Sequence, residues 1–175
     1  MQWSQLRKRL LDRVASSIQS RIDIHQTRYR NAHDQEGEFW LTVDKERVFS
    51  SGSASYLSKL GTVVGEMHAD GSTWAEAYER AWPIMESSGL MLLEAINKDL
   101  FSALNSSVEE MLEKQNPLIR GLAIVDSRFG KRRLATFDPS NEHDLVKQLF
   151  SLRCAAEGVK ISNLQLGADA SRRSK

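Results

Sequence analysis

The chain has 175 residues, 41% hydrophobic and 27% charged, with a net charge of +1 and a single cysteine, Cys154. A chain of this length buries about 70% of the surface its unfolded form exposes, so it folds without a disulfide or metal staple, and its balanced composition excludes intrinsic disorder. The charge is unevenly spread: residues 1–30 carry +5, residues 31–115 carry −9 and residues 116–175 carry +5.

In chain order, the first element reads as an amphipathic helix over 4–19. Ser4 supplies a cap, and Leu6, Leu10, Val14 and Ile18 recur every four residues as one apolar stripe. Lys8, Arg9, Asp12 and Arg13 fall off that stripe. Over 21–29, Ile22 and Ile24 alternate with polar residues at the period of a strand. A polar loop over 31–37 follows. Then 39–43 and 47–49 flank Asp44-Lys45-Glu46 as a β-hairpin. Three antiparallel strands need a packing partner, and the first helix supplies one.

From Ser53 the period turns helical. The second helix spans 54–67, where Gly61-x-x-x-Gly65 either admits a close backbone neighbour or is merely tolerated in a weak helix. Residues 68–71 break it. Thr73-Trp74-Ala75-Glu76 is a capping box for a third helix, which Pro83 is expected to kink or end. Ser88-Gly89 precedes a fourth helix over 90–104, and Ser106 or Ser107 caps a fifth that ends near Gln115.

Asn116-Pro117 places a cap and a first-turn proline in order. Leu118, Leu122, Val125 and Phe129 then carry that helix to Gly130. A last helix spans 142–157 and closes at Gly158. Leu118-Ile119-Arg120-x-Leu122 is echoed by Leu145-Val146-Lys147-x-Leu149, as two helices sharing one core would require. The expected fold class is α+β: an N-terminal helix with a three-stranded antiparallel sheet (1–52), then a mostly helical part (53–167). Together they form one compact domain, with a disordered tail at 168–175.

Catalytic signatures are missing from the sequence. His25, His33, His68 and His143 fall at no metal-ligand spacing, and neither HExxH nor CxxC occurs. No GxSxG is present, and Gly130-Lys131 lacks both the earlier glycine and the following Ser/Thr of a P-loop. Cys154 follows Val146 and Phe150 at helical spacing and reads as a small core hydrophobe. No cofactor or metal is implied.

The sharpest local feature is Arg128-Phe129-Gly130-Lys131-Arg132-Arg133. Such a cluster can contact phosphates, with Arg28 and Arg30 assisting. Equally, it can neutralise a helix end and the acidic middle of the chain. Candidate nucleic-acid contacts are therefore Arg128, Lys131, Arg132, Arg133, Arg28 and Arg30.

The order helix, three strands, helix over 4–67 resembles the topology of double-stranded-RNA-binding domains. Their second helix starts with several lysines; here 54–59 holds Lys59 alone. Topology without that chemistry does not carry the function.

The stretches W-S-Q-L-R-K-R, T-R-Y-R, F-W-L-T-V-D, N-P-L-I-R-G-L-A-I-V-D-S-R-F-G-K-R-R-L and L-F-S-L-R-C-A-A-E-G resemble an uncharacterised family of small bacterial proteins. This chain departs from the family pattern at Ser127, where an arginine follows the aspartate. The resemblance implies a bacterial cytoplasmic protein in an accessory role, and no activity. The longest apolar runs, 90–93 and 122–125, fall far short of the roughly 20 residues of a membrane span, and the start of the chain lacks a signal-peptide core. The expected function is a non-enzymatic interaction protein that binds itself or another protein. Nucleic-acid binding is the alternative, and a dispersed-pocket enzyme is the least supported reading.

Overall fold

The computed structural model describes residues 1–29, 37–69 and 71–160. Arg30, His33, Asp34, Asp70 and the 168–175 tail lie outside the described residues. The architecture is the expected α+β one, with an N-terminal helix, an antiparallel three-stranded sheet and a mostly helical remainder.

The first helix, α1 (Trp3–Leu11), stops well before Gln19. Val14 leaves the helix to form an isolated antiparallel bridge with Asp126. In that bridge Ala15 N donates to Val125 O at 2.9 Å and Ser127 N donates to Arg13 O at 2.7 Å. Val14 and Ile18 are buried as expected, but from extended and turning backbone rather than from a helical stripe. Hydrogen bonds to a distant segment outweighed the four-residue period, which a local reading cannot see.

Strands β1 (Ile22–Arg28), β2 (Gly37–Val43) and β3 (Glu46–Gly52) pair in chain order. Asp44 and Lys45, at φ 51° and 72°, make the two-residue turn, the geometry that matches strand twist in tight hairpins. One sheet face buries Ile22, Ile24, Phe39, Leu41 and Phe49 against α1 and α4 (Leu93–Ala103). The other face is open. There His25 stacks on Trp40 at 5.2 Å, and the Arg47 guanidinium lies 4.6 Å from the Trp40 ring.

The second helix, α2 (Ser53–His68), does not lie beside α1 on the sheet, as it would in a double-stranded-RNA-binding domain. α4 takes that place, and α2 pairs with α3 (Trp74–Ser87). The capping box is formed: Thr73 Oγ1 accepts from Glu76 N, and the Glu76 carboxylate accepts from Thr73 N. Pro83 neither kinks α3 into two nor ends it, since the helix runs on to Ser87. Both Pro83 and Glu79 are exposed, so water can take the Glu79 carbonyl that the proline leaves unbonded.

Helix α5 (Val108–Leu112) starts from a Ser107–Glu110 capping box, and α6 (Pro117–Val125) starts from Asn116 with Pro117 in its first turn. α6 ends four residues before Phe129, because Asp126 goes extended to meet Val14. A short α7 (Lys131–Thr136) follows, with Gly130 at its N-cap rather than closing α6. α8 (Asp144–Glu157) ends at Gly158, which adopts φ 67°. The echoed motifs are the packed faces of α6 and α8. Gly121 is needed there, since a Cβ would stand 2.8 Å from Leu149 Cδ1. The main core runs through the sheet and α1, α4, α5, α6 and α8; a second, smaller core of Tyr56, Leu60, Val63, Val64, Ala77, Ala81 and Met85 holds the α2–α3 hairpin.

Candidate functional site

On α3 the residues facing α2 are Ala77, Ala81 and Met85, spaced by four. Trp74, Tyr78 and Trp82 share that spacing and lie together on the adjoining strip of the same helix. They remain 54%, 51% and 43% exposed. On α2, Leu57, Gly61 and His68 fall on the matching flank of the helix. The two flanks are joined by His68, which stacks on Trp74 at 4.3 Å. Tyr56 meets Trp82 edge-on at 6.4 Å.

The hairpin thus presents one continuous side with two reliefs. A ridge of three aromatic rings runs along α3, and beside it lies a trough at the glycines of α2. A Cβ built on Gly61 or Gly65 would meet nothing within 4 Å, so no group of the described residues uses the close approach that this motif allows. One carboxylate continues the aromatic strip: Glu86, four residues after Trp82 and half-buried. Glu76 and Glu79 project from other faces of α3, roughly 100° or more away on the helical wheel.

The basic segment is distributed among separate tasks. Arg128 pairs with the buried Asp126 at 2.7 Å and donates to Ser106 O. Lys131 donates to Glu157 O at 3.1 Å, and Arg133 pairs with Glu109 at 2.6 Å. Arg132 is exposed and has no ion pair or side-chain hydrogen bond among the described residues. Arg28 is exposed at the end of β1, a hundred residues before the α7 cations, and Arg30 lies outside the described residues.

Charge blocks are linked more sparsely than complementary net charges suggest. Arg21–Asp44 and Arg133–Glu109 join a basic end to the acidic middle, as does Arg13, which donates to Ala103 O and Leu104 O at the end of α4. The pairs Arg7–Asp23, Arg120–Glu142, Arg128–Asp126 and Arg153–Glu157 close within their own blocks.

Most polar residues of the long 116–134 motif turn out to be structural. Asn116 caps α6; Arg120 caps α5 through Leu112 O and Lys114 O while pairing with Glu142. Asp126 holds Arg128 through its Nε, Nη2 and backbone N–H. Arg153, one turn after Leu149 and only 2% exposed, bonds Glu157 and the carbonyls of Ile124 and Asp126. The sequence reading missed Arg153. Its signal was an arginine set at helical spacing among Val146, Leu149, Phe150 and Cys154.

His25 Nε2 lies 3.4 Å from Thr42 Oγ1 and 3.7 Å from Asp23 Oδ2. Both contacts fall on one ring nitrogen, so the ring cannot relay a proton from hydroxyl to carboxylate through its two nitrogens. Cys154 is buried, and burial, with Glu157 adding, pushes its thiol pKa up, away from a reactive thiolate. His143 accepts from Leu145 N as the N-cap of α8. Among the described residues no three His, Cys, Asp or Glu side chains gather to hold a metal ion, and no helix is long and apolar enough to cross a membrane.

Fold and surface together define an α+β protein that carries a helical hairpin with an exposed aromatic face. The chain belongs to the SF0329 protein family, whose family model matches residues 2–154. No curated protein and no solved structure matches it.

Proposed function

We propose that this protein is a non-enzymatic interaction module that pairs with a second copy of itself through the α2–α3 hairpin. The observation that carries this reading is the exposed Trp74–Tyr78–Trp82 ridge lying beside the open Gly61–Gly65 trough. A two-fold axis brings the same patch on both partners together, so ridge and trough on one surface can seat each other. Two antiparallel hairpins packed in this way make a four-helix arrangement.

The available area fits a modest dimer. A buried aromatic side chain covers about 150–250 Å². Three half-exposed rings with Leu57 therefore offer roughly 400 Å² of apolar surface. A standard interface takes about 800 Å² per partner and is a little over half apolar. Glu76 and Glu79 then sit at the rim, where their repulsion is screened by water and salt, and Glu86 stands at the end of the ridge.

The nucleic-acid alternative draws on Arg132 and Arg28 as exposed cations. It has less support, because Arg128, Lys131 and Arg133 are already engaged by protein groups. An accessory role in a bacterial cytoplasm rests on the sequence resemblance alone.

Light scattering over a concentration series tests the pairing. The wild-type mass should rise towards that of two chains, while Tyr78→Glu stays at one. Tyr78 is exposed, so its replacement leaves the monomer folded. A wild-type mass that remains at one chain throughout would exclude the pairing.

A further inference from the structure

Segments 15–17 and 127–131 meet the last turn of α8 around an open cavity of about 380 Å³, lined by Ser16, Ser17, Ser127, Lys131, Arg153 and Glu157. Ligand pockets span about 300–1,000 Å³, so the space admits a small molecule. Its floor is a guanidinium with unmet capacity. Arg153 Nε donates to Glu157 Oε1 at 2.9 Å, and Nη1 donates to Ile124 O at 2.6 Å and to Asp126 O. Nη2 has no hydrogen-bond partner among the described residues and keeps some access to solvent, so its hydrogens are free for a ligand in the cavity.

The other donors converge on the same space. Lys131 Nζ spends one of its three hydrogens on Glu157 O. The hydroxyls of Ser16 and Ser127 have no partner among the described residues, and Ser17 Oγ reaches Glu157 Oε1 at 3.2 Å. Arg153 and Lys131 set against Glu157 leave one net positive charge at the site.

We propose that this cavity binds the phosphate group of a small, hydroxylated, soluble molecule. Donors come from three chain segments, which suits a tetrahedral group with three acceptor oxygens better than a planar carboxylate. Arg153 Nη2 and Lys131 Nζ take the phosphate oxygens, with Ser16 and Ser127 completing the set. The free oxygen of Glu157 accepts from a hydroxyl of the same ligand. This site is separate from the hairpin face and does not depend on self-association.

Inorganic phosphate is the probe, titrated at constant ionic strength into the full chain with its arginines labelled with nitrogen-15. The Arg153 Nη2 resonances should shift saturably. Lys131→Gln should weaken binding by roughly tenfold, the loss of one charge-assisted hydrogen bond, and Ser127→Asp should abolish it. Both residues are exposed, so wild-type unfolding midpoints confirm that the variants are folded. Arg132→Gln, outside the cavity, should leave affinity unchanged, and acetate should bind at least tenfold more weakly than phosphate. The proposal is overturned by a non-saturating response, by an equal loss in Arg132→Gln, or by acetate binding as tightly as phosphate.

Discussion

Replacing Arg153 by methionine keeps the length of the side chain and removes its charge and its hydrogen bonds. The carbonyls of Ile124 and Asp126 lose a charged donor, and Glu157 keeps only the Ser17 hydroxyl. Removing one partner of a buried ion pair costs about 3–5 kcal/mol. Glu157 retains a little exposure and can turn towards water, so the lower end of that range applies, about 3 kcal/mol. In a chain of this size that lowers the melting temperature by roughly 6–12 °C. Urea unfolding measures it through the midpoint at constant slope. Arg153→Lys should fall between the two, since an ammonium can satisfy one of the carbonyls but not the fork. A loss for Arg153→Met below about 1 kcal/mol, the scale of ordinary surface changes, would refute the assignment of Arg153 as the clasp between α6 and α8.

Other expectations follow from single contacts. Gly121→Ala pushes a methyl against Leu149 and should cost about 1–3 kcal/mol, read by urea unfolding; a neutral result would mean that α6 and α8 are not held at this separation. Cys154 should resist iodoacetamide in the native protein and react at once in urea, since its thiol is buried and its pKa raised; rapid native alkylation would contradict that. Burial, with Asp99 adding, raises the pKa of Glu86 against the opposing charge of Lys114. The folded state therefore holds this proton to higher pH than the unfolded chain does, so stability falls as pH rises from the ordinary glutamate range through the raised value. Glu86→Gln should flatten that part of the stability profile, and an unchanged profile would show that Glu86 does not contribute.

The sheet, its hairpin, the Thr73 capping box and the Gly158 stop were legible in the sequence because each is written in residues close along the chain, although Glu46 opens β3 rather than ending the turn and Ser107, not Ser106, is the cap of α5. The end of α1, the end of α6 and the existence of α7 were not. All three follow from the Val14–Asp126 bridge, a contact between segments over a hundred residues apart that local periodicity cannot encode. The same limit hid Arg153, whose partners on α6 lie far from it in sequence. The basic segment misled in a different way: composition shows where cations are dense, but not that Arg128, Lys131 and Arg133 each reach a different protein acceptor. The hairpin face was available in the four-residue spacing of Trp74, Tyr78 and Trp82. Only the structure shows that Ala77, Ala81 and Met85 are the strip that α2 covers, leaving the rings outside.

Isotope-filtered NMR on an equal mixture of labelled and unlabelled chains tests the pairing most directly, because it reports only contacts between copies. Cross-peaks are expected from the Tyr78 and Trp82 rings of one copy to Leu57 and the Gly61 α-protons of another. A self-associated sample lacking those peaks, or showing them instead from Trp40 and His25 on the open sheet, would contradict the hairpin as the interface.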